Sequence, residues 1–192
     1  AWILQAAIVV REFPRFISAA HSNCPHRDAQ QLLAENIWEE HGRGDAERDH
    51  YNLIKRMAES VGATSEEIDG ATPIDETRDY IDYCLRITRD EDFIVGMVAI
   101  GIGIEYYMPV FFGSLSEALC SNYNLARSDV ESLILHLTEN KDHARRAVEI
   151  VRKYADSREV KERACESLRE MIRLKRRFAE SLYSYCQQAG TV

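Results

Sequence analysis

Two histidines, His136 and His143, bracket an amide, Asn140, in the run L-H-L-T-E-N-K-D-H-A. At about 100° per residue of helix, the three fall within roughly 60° of one another. Leu133 and Ala147 share that face, so it points inward. Two imidazoles on an inward face, one turn either side of a polar residue, can converge on a single ion. Two core histidines satisfied by hydrogen bonds, or a pair at a helix boundary, would show the same spacing. The pair therefore needs partners before it means a metal site.

Glu40 and His50 are the first candidate partners. Glu40 follows Leu33, Asn36 and Ile37 on one helical face, which makes it the inward member of the Glu39–Glu40 pair. His50 shares a face with Leu53, Ile54 and Met57, and the polar run H-G-R-G-D-A-E-R-D makes a turn between them. Both residues then sit where two antiparallel helices meet, and Glu39, His41 and Glu47 are expected at the solvated surface. Glu47 with His50 makes a competing E-x-x-H pair, and a capping carboxylate beside a surface histidine is the plainer alternative.

Glu105, in A-I-G-I-G-I-E-Y-Y-M-P, is the last candidate. A carboxylate in the most apolar stretch of the chain is costly to bury unpaired and needs a cation, a proton or a metal. The glycines around it let another helix or a substrate approach closely. A salt bridge to a neighbouring arginine is the bland alternative. Taken together, glutamates and histidines from several helices form the carboxylate–imidazole set that suits Fe(II) or Mn(II) in a bundle. No cysteine joins the set, which argues against structural zinc.

The elements that must carry these groups are helices. Apolar residues recur at helical spacing nearly throughout, and no alternating strand appears. The pattern predicts helices from about Trp2 to Ala20 with a kink at Pro14, from Asp28 to His41, and from an Asp49 cap to Val61 before Gly62. A loop with a turn in it covers Ala63 to Thr72, and a helix follows Pro73 to about Thr88. A long fifth helix, Glu91 to Ser121, should bend near Pro109. A Ser128–Glu131 capping box should open a sixth helix lasting to Tyr154, and the last should run from after Ser157 to about Gln187. The expected fold is all-α, one domain over residues 1–192, a seven-helix up-and-down bundle. The chain opens at Ala1 already in a helical pattern, so some N-terminal sequence is expected to be missing.

Composition agrees with a packed domain: 192 residues, 45% hydrophobic and 29% charged, with 4 prolines and 9 glycines. A net charge of −8 argues against a nucleic-acid partner, since phosphate neutralisation needs clustered cations. No stretch reads as a membrane span; Phe93 to Leu115 comes nearest but holds Glu105 and several glycines. The cysteines Cys24, Cys84, Cys120, Cys165 and Cys186 form no C-x-x-C pair. They are expected as reduced, small buried hydrophobes in a cytoplasmic protein.

The runs L-L-A-E-N-I-W-E-E-H-G, G-I-E-Y-Y-M-P and H-x-x-x-N-x-x-H-A, with a histidine shortly after the first, resemble the haem-oxygenase-like proteins of the TenA/PqqC/CADD group. Within it they are most similar to the haem-oxygenase-like diiron oxidases, in the order of the motifs as well as their content. The resemblance implies a seven-helix haem-oxygenase-like bundle with a non-haem diiron centre. Glu40, His50, Glu105, His136 and His143 would be ligands, with Glu105 bridging. The family usually has aspartate where this chain has Asn140, so one iron would be bound more weakly. Glu139 and Asp142 would compensate only if the helix rotated or unwound. A first-helix carboxylate is usual, and Glu12 is the candidate here.

The implied activity is iron-dependent oxidation of a small organic substrate by dioxygen, in a protein that could form a homodimer. An apolar wall of Ile102, Tyr106, Met108, Phe111 and Phe112 would exclude water from the site. Two other readings share the fold. One is a metal-free enzyme of the TenA or PqqC kind, the TenA branch relying on a nucleophilic cysteine. The other is a non-enzymatic binding protein with a vestigial metal site.

Overall fold

The computed structural model describes residues 1–188 and is helical throughout, with no strand among them. In chain order the α-helices are α1 (Trp2–Asn23), α2 (Arg27–Glu40), α3 (His50–Ser60), α4 (Ser65–Asp69), α5 (Asp75–Arg89), α6 (Phe93–Met97), α7 (Met108–Tyr123), α8 (Glu131–Tyr154) and α9 (Arg158–Gln188). α1 packs against α2, α3 and α5, while α9 packs against α5 and α6, and α8 packs against α7. Phe16 and Ile17 of α1, Cys84 of α5, Met171 of α9 and Ala99 between α6 and α7 are among the most buried side chains. They pack the core that fixes the helices around the polar groups.

Among the described residues there are nine α-helices rather than seven, for two local reasons. The Ala63–Thr72 loop contains α4, which is opened by a capping box between Thr64 and Glu67. The expected fifth helix is broken. α6 passes into a π-helical segment, Val98–Ile102, and then into turns as far as Tyr107 before α7 begins. The break lies ahead of Pro109, not at it. Pro109 occupies the first turn of α7, where its missing N–H costs no helical bond.

Other boundaries moved as well. α1 continues through Pro14 to Asn23, whose side-chain amide donates to the carbonyls of Thr88 and Glu91 at 3.3 and 2.7 Å. Those tertiary bonds hold the added turn. The Ser128–Glu131 box is not formed. Val130 takes the cap position of α8 without a side-chain bond, Asp129 instead accepts from the Ala126 N–H at 2.8 Å, and Glu131 faces Arg56 at 3.7 Å. Asp49 does cap α3, accepting from the N–H groups of Tyr51 and Asn52.

Cys24 and Cys84 are buried, Cys120 is half-buried and Cys165 is exposed, so the thiols are not uniformly core. These four are free; the Cys186 side chain lies outside the described residues. No helix among the described residues is long and apolar enough to cross a membrane.

Candidate metal centre

α2 buries Ala29, Leu33, Asn36, Glu39 and Glu40, a stripe that turns from apolar to polar in its last turn. The chain then reverses through three consecutive residues in the left-handed region, Gly42, Arg43 and Gly44. A Cβ at Gly42 would lie 2.5 Å from the Asp49 nitrogen, so only glycine permits the turn to close this tightly. Asp49 caps the next helix, and His50, its first residue, is set opposite the end of α2. His50 Nδ1 lies 2.8 Å from Glu40 Oε2, and its Nε2 lies 3.3 Å from Glu139 Oε2 of α8.

His136 completes this half. Its ring centroid is 4.6 Å from that of His50, and ligand atoms of Glu40, His50 and His136 all lie within 4.8 Å of one another. His136 Nδ1 is 2.5 Å from the Ser132 carbonyl, a bond that needs Nδ1 to carry the proton. Nε2 is thereby left as a free lone pair, the arrangement of a metal-binding imidazole oriented by its other nitrogen. Burial and the neighbouring His50 both pull the His136 imidazolium down, so the ring is neutral.

The second half centres on His143. Its Nε2 is 2.7 Å from Glu39 Oε2 and its Nδ1 2.9 Å from Glu105 Oε2. Glu105 sits in the turn after the π segment, not inside a helix as expected. The glycines before it have a packing reason: a Cβ at Gly101 would lie 2.6 Å from Ala147 Cβ of α8, and one at Gly103 2.8 Å from Met171 Cγ of α9. Two helices close directly onto the backbone that carries Glu105.

Protonation follows from this crowding. Burial alone would lower His50, but Glu40 and Glu139 outweigh it and push it up to about 10. Burial opposes protonation of His143 too, and Glu105 and Glu39 push it up to about 9. Glu105 is raised by burial despite His143 beside it. For Glu39 and Glu139 burial acts upward as well, but His143 with Arg43, and His50, respectively, hold them below the usual carboxylate range.

The donor set fits a divalent cation on a direct observation. His50 Nδ1, Glu105 Oε2, Glu139 Oε2 and Asn36 Oδ1 are buried yet make no properly aligned hydrogen bond, although opposite charges stand close to three of them. Buried polar atoms left without an aligned partner call for one, and a bound cation would satisfy the oxygens and the imidazole nitrogen among them. Oxygen and imidazole donors without thiolate suit iron or manganese.

The structure therefore brings together Glu40, His50 and His136, and beside them Glu105 and His143, with Asn140 buried on the same face of α8. Glu12 stands apart: it pairs with Arg15 and, at 3.8 Å, with Arg11 on its own helix. Two residues were misplaced by sequence reasoning. Glu39 is buried against His143 rather than solvated, and Glu139 Oε2 lies 3.3 Å from His50 Nε2. Spacing held a signal for both, since Glu39 is three residues beyond Asn36, and Glu139 lies three after His136 and four before His143. Glu47 is exposed and bound by Arg56, which removes the competing E-x-x-H pair. Of the expected apolar wall, Phe112 packs on His136 at 5.5 Å, but Tyr106 and Phe111 are 69% and 43% exposed.

A helical bundle built round a buried carboxylate–histidine cluster defines the class, and comparison with known proteins agrees. Residues 1–176 match the family described as iron-containing redox enzyme. The chain belongs to that haem-oxygenase-like family. A domain of unknown function with a haem-oxygenase-like fold from Shewanella denitrificans superposes with a TM-score of 0.82 at 14% identity, over 99% of this chain and 79% of that one. A TenA homologue from Pseudomonas syringae gives 0.72 at 14% identity, over 90% and 73%. Curated relatives are the 4-aminobenzoate synthases of Chlamydia muridarum and Chlamydia trachomatis, each 25% identical over 91 residues. Those matches span 47% of this chain but only 37% and 38% of the relatives' own lengths.

Proposed function

We propose that this protein is a non-haem diiron oxidase or oxygenase that uses dioxygen to oxidise a small organic substrate. The observation that carries the reading is the convergence of two carboxylate–histidine groups, with His136 locked by Ser132 in the metal-ready tautomer. Iron bound there supplies the electrons that dioxygen needs and the oxidising power used on the substrate. The chain does the rest. Its glutamates balance the cations, and His50 and His143 must each give up a proton as metal enters.

A cavity of about 20 Å³ adjoins Glu105 and His143 and is walled by aliphatic side chains that include Leu33, Met97 and Ile150. It has room for one molecule of about the size of water and suits a diatomic gas better than an organic substrate. Arg146 also lines it, with its guanidinium paired to Glu35 at 3.2 Å. The 4-aminobenzoate synthases among the relatives make 4-aminobenzoate the first product to assay for. The metal-free cysteine alternative has less support: burial pushes the Cys84 thiol far above its ordinary value and raises Cys24 as well, so neither is a ready nucleophile.

Anaerobic loading with Fe(II), followed by metal analysis and oxygen uptake, tests the reading. Two irons per chain and iron-dependent oxygen consumption are expected. A protein that retains no iron after loading would refute it.

A further inference from the structure

The small cavity beside Glu105 and His143 lies where α2, α8 and the π segment meet, walled by Leu33, Ile100 and Ile150 from one element each. The seam between α2 and α8 is held by polar rungs. Glu39 meets His143 at 2.7 Å, Glu35 meets Arg146 at 3.2 Å, and Asp28 meets Lys153 at 2.7 Å at the far end. Between His143 and Ile150, α8 buries only Ala144 and Ala147, so little side-chain volume fills the space under the rungs.

The polar groups around this cavity are already committed or turned away. Both ring nitrogens of His143 face carboxylates, Glu39 and Glu105, and the Arg146 guanidinium is held by Glu35. The unpartnered oxygens of Asn36 and Glu105 present almost no accessible surface. A buried water needs about two to four polar partners, whereas an apolar cavity stays dry and takes apolar guests. Among the lining residues only Leu32 and Arg146 are not buried, so solvent lies nearest between those two. Arg146 crosses that opening in a partly exposed ion pair, a kind that is weak and opens readily. Glu105 and His143 line the cavity, but Glu40, His50 and His136 do not.

We propose that this cavity is a docking site for dioxygen, from which the gas reaches the Glu105–His143 half of the centre before the other half. The inference rests on the oxidase reading above and adds which half meets dioxygen. An organic substrate is too large for the cavity and needs another approach.

Dioxygen itself is the probe, applied under pressure to the metal-free full chain, with nitrogen at the same pressure as the blank. Dissolved dioxygen is paramagnetic and speeds the relaxation of methyl protons where it lodges. Methyl NMR should show enhancement at Leu33, Ile100 and Ile150 several-fold above that at Ile54, Ile68 and Leu133, which are about as buried but lie elsewhere in the core. Ile150→Phe, or Leu33→Phe where the first does not fold, should abolish the excess at the methyls that remain. After iron loading, the same variant should match the iron content of wild type and need several-fold more oxygen for half-maximal uptake. Enhancement no greater than at the control methyls, an ordered water filling the cavity in a crystal structure, or an unchanged oxygen requirement in the filled variant would each overturn the proposal. Enhancement in a wild type that binds no iron would instead refute the oxidase reading, while the gas site itself stood.

Discussion

The two halves of the cluster are built on different backbones. Glu40, His50 and His136 come from regular helices, and the turn joining the first two is fixed by left-handed glycines and the Asp49 cap. Glu105 comes from the irregular turn after a π segment, held in place by the closeness of Ala147 and Met171 to Gly101 and Gly103 and by Lys175, which donates to the Ile104 carbonyl at 3.2 Å. In the first half a local turn sets Glu40 against His50 and packing adds His136, whereas Glu105 in the second is placed by tertiary packing alone. The helical half should therefore persist when packing is loosened, and the Glu105 half should respond to changes far from any ligand.

The largest expected effect breaks the helical half. His50→Ala leaves Glu40 buried, and Glu139 half-buried, without their cation, and removing one partner of a buried pair costs about 3–5 kcal/mol. Chemical denaturation of the metal-free protein should show that loss. A drop no larger than that of an exposed ion pair would mean that the cluster is hydrated and the two halves do not differ in kind.

The next sharpens the contrast. Gly101→Ala drives a methyl against Ala147, and overpacking of this sort costs about 1–3 kcal/mol. Metal affinity should fall at the Glu105–His143 half while the half at Glu40 and His50 keeps its own. Equal losses at both would show that the π segment and the helical half move as one body.

The smallest is a matter of pH. His50 and His143 have folded values of about 10 and about 9, above the roughly 6.5 of an unfolded histidine. Their stabilisation is complete below about pH 6.5 and is lost as pH rises through those folded values, by up to about 1.4 kcal/mol per pH unit for each histidine. Metal-free protein should lose stability from neutral pH towards pH 10, and the metal-loaded form should lack that slope. NMR titration should show both histidines holding their protons well above the roughly 6.5 of a free imidazole; loss of either proton near that value would mean that its carboxylates do not hold it.

Much of this was legible in the residues. Helical periodicity, the Asp49 cap, the inward stripe of His136 and His143 and the isolation of Glu105 all follow from rules acting within a turn or two. What failed were groups at the margins of stripes. Glu39 lies about 100° from Glu40 and was assigned to solvent, yet α8 lies over it and supplies His143. Glu139 was set aside for the same reason and is reached by α3. Glu12 lies on an acceptable face but finds Arg15 beside it first.

By itself, then, the sequence determined an all-helical chain and which residues could bear a metal, because side-chain type and helical phase are local properties. Tertiary structure alone decided which carboxylates meet which imidazoles, and where the helix carrying Glu105 breaks. Those outcomes depend on how closely a second helix approaches, through contacts such as Gly101 on Ala147 and Gly103 on Met171 that join residues distant along the chain.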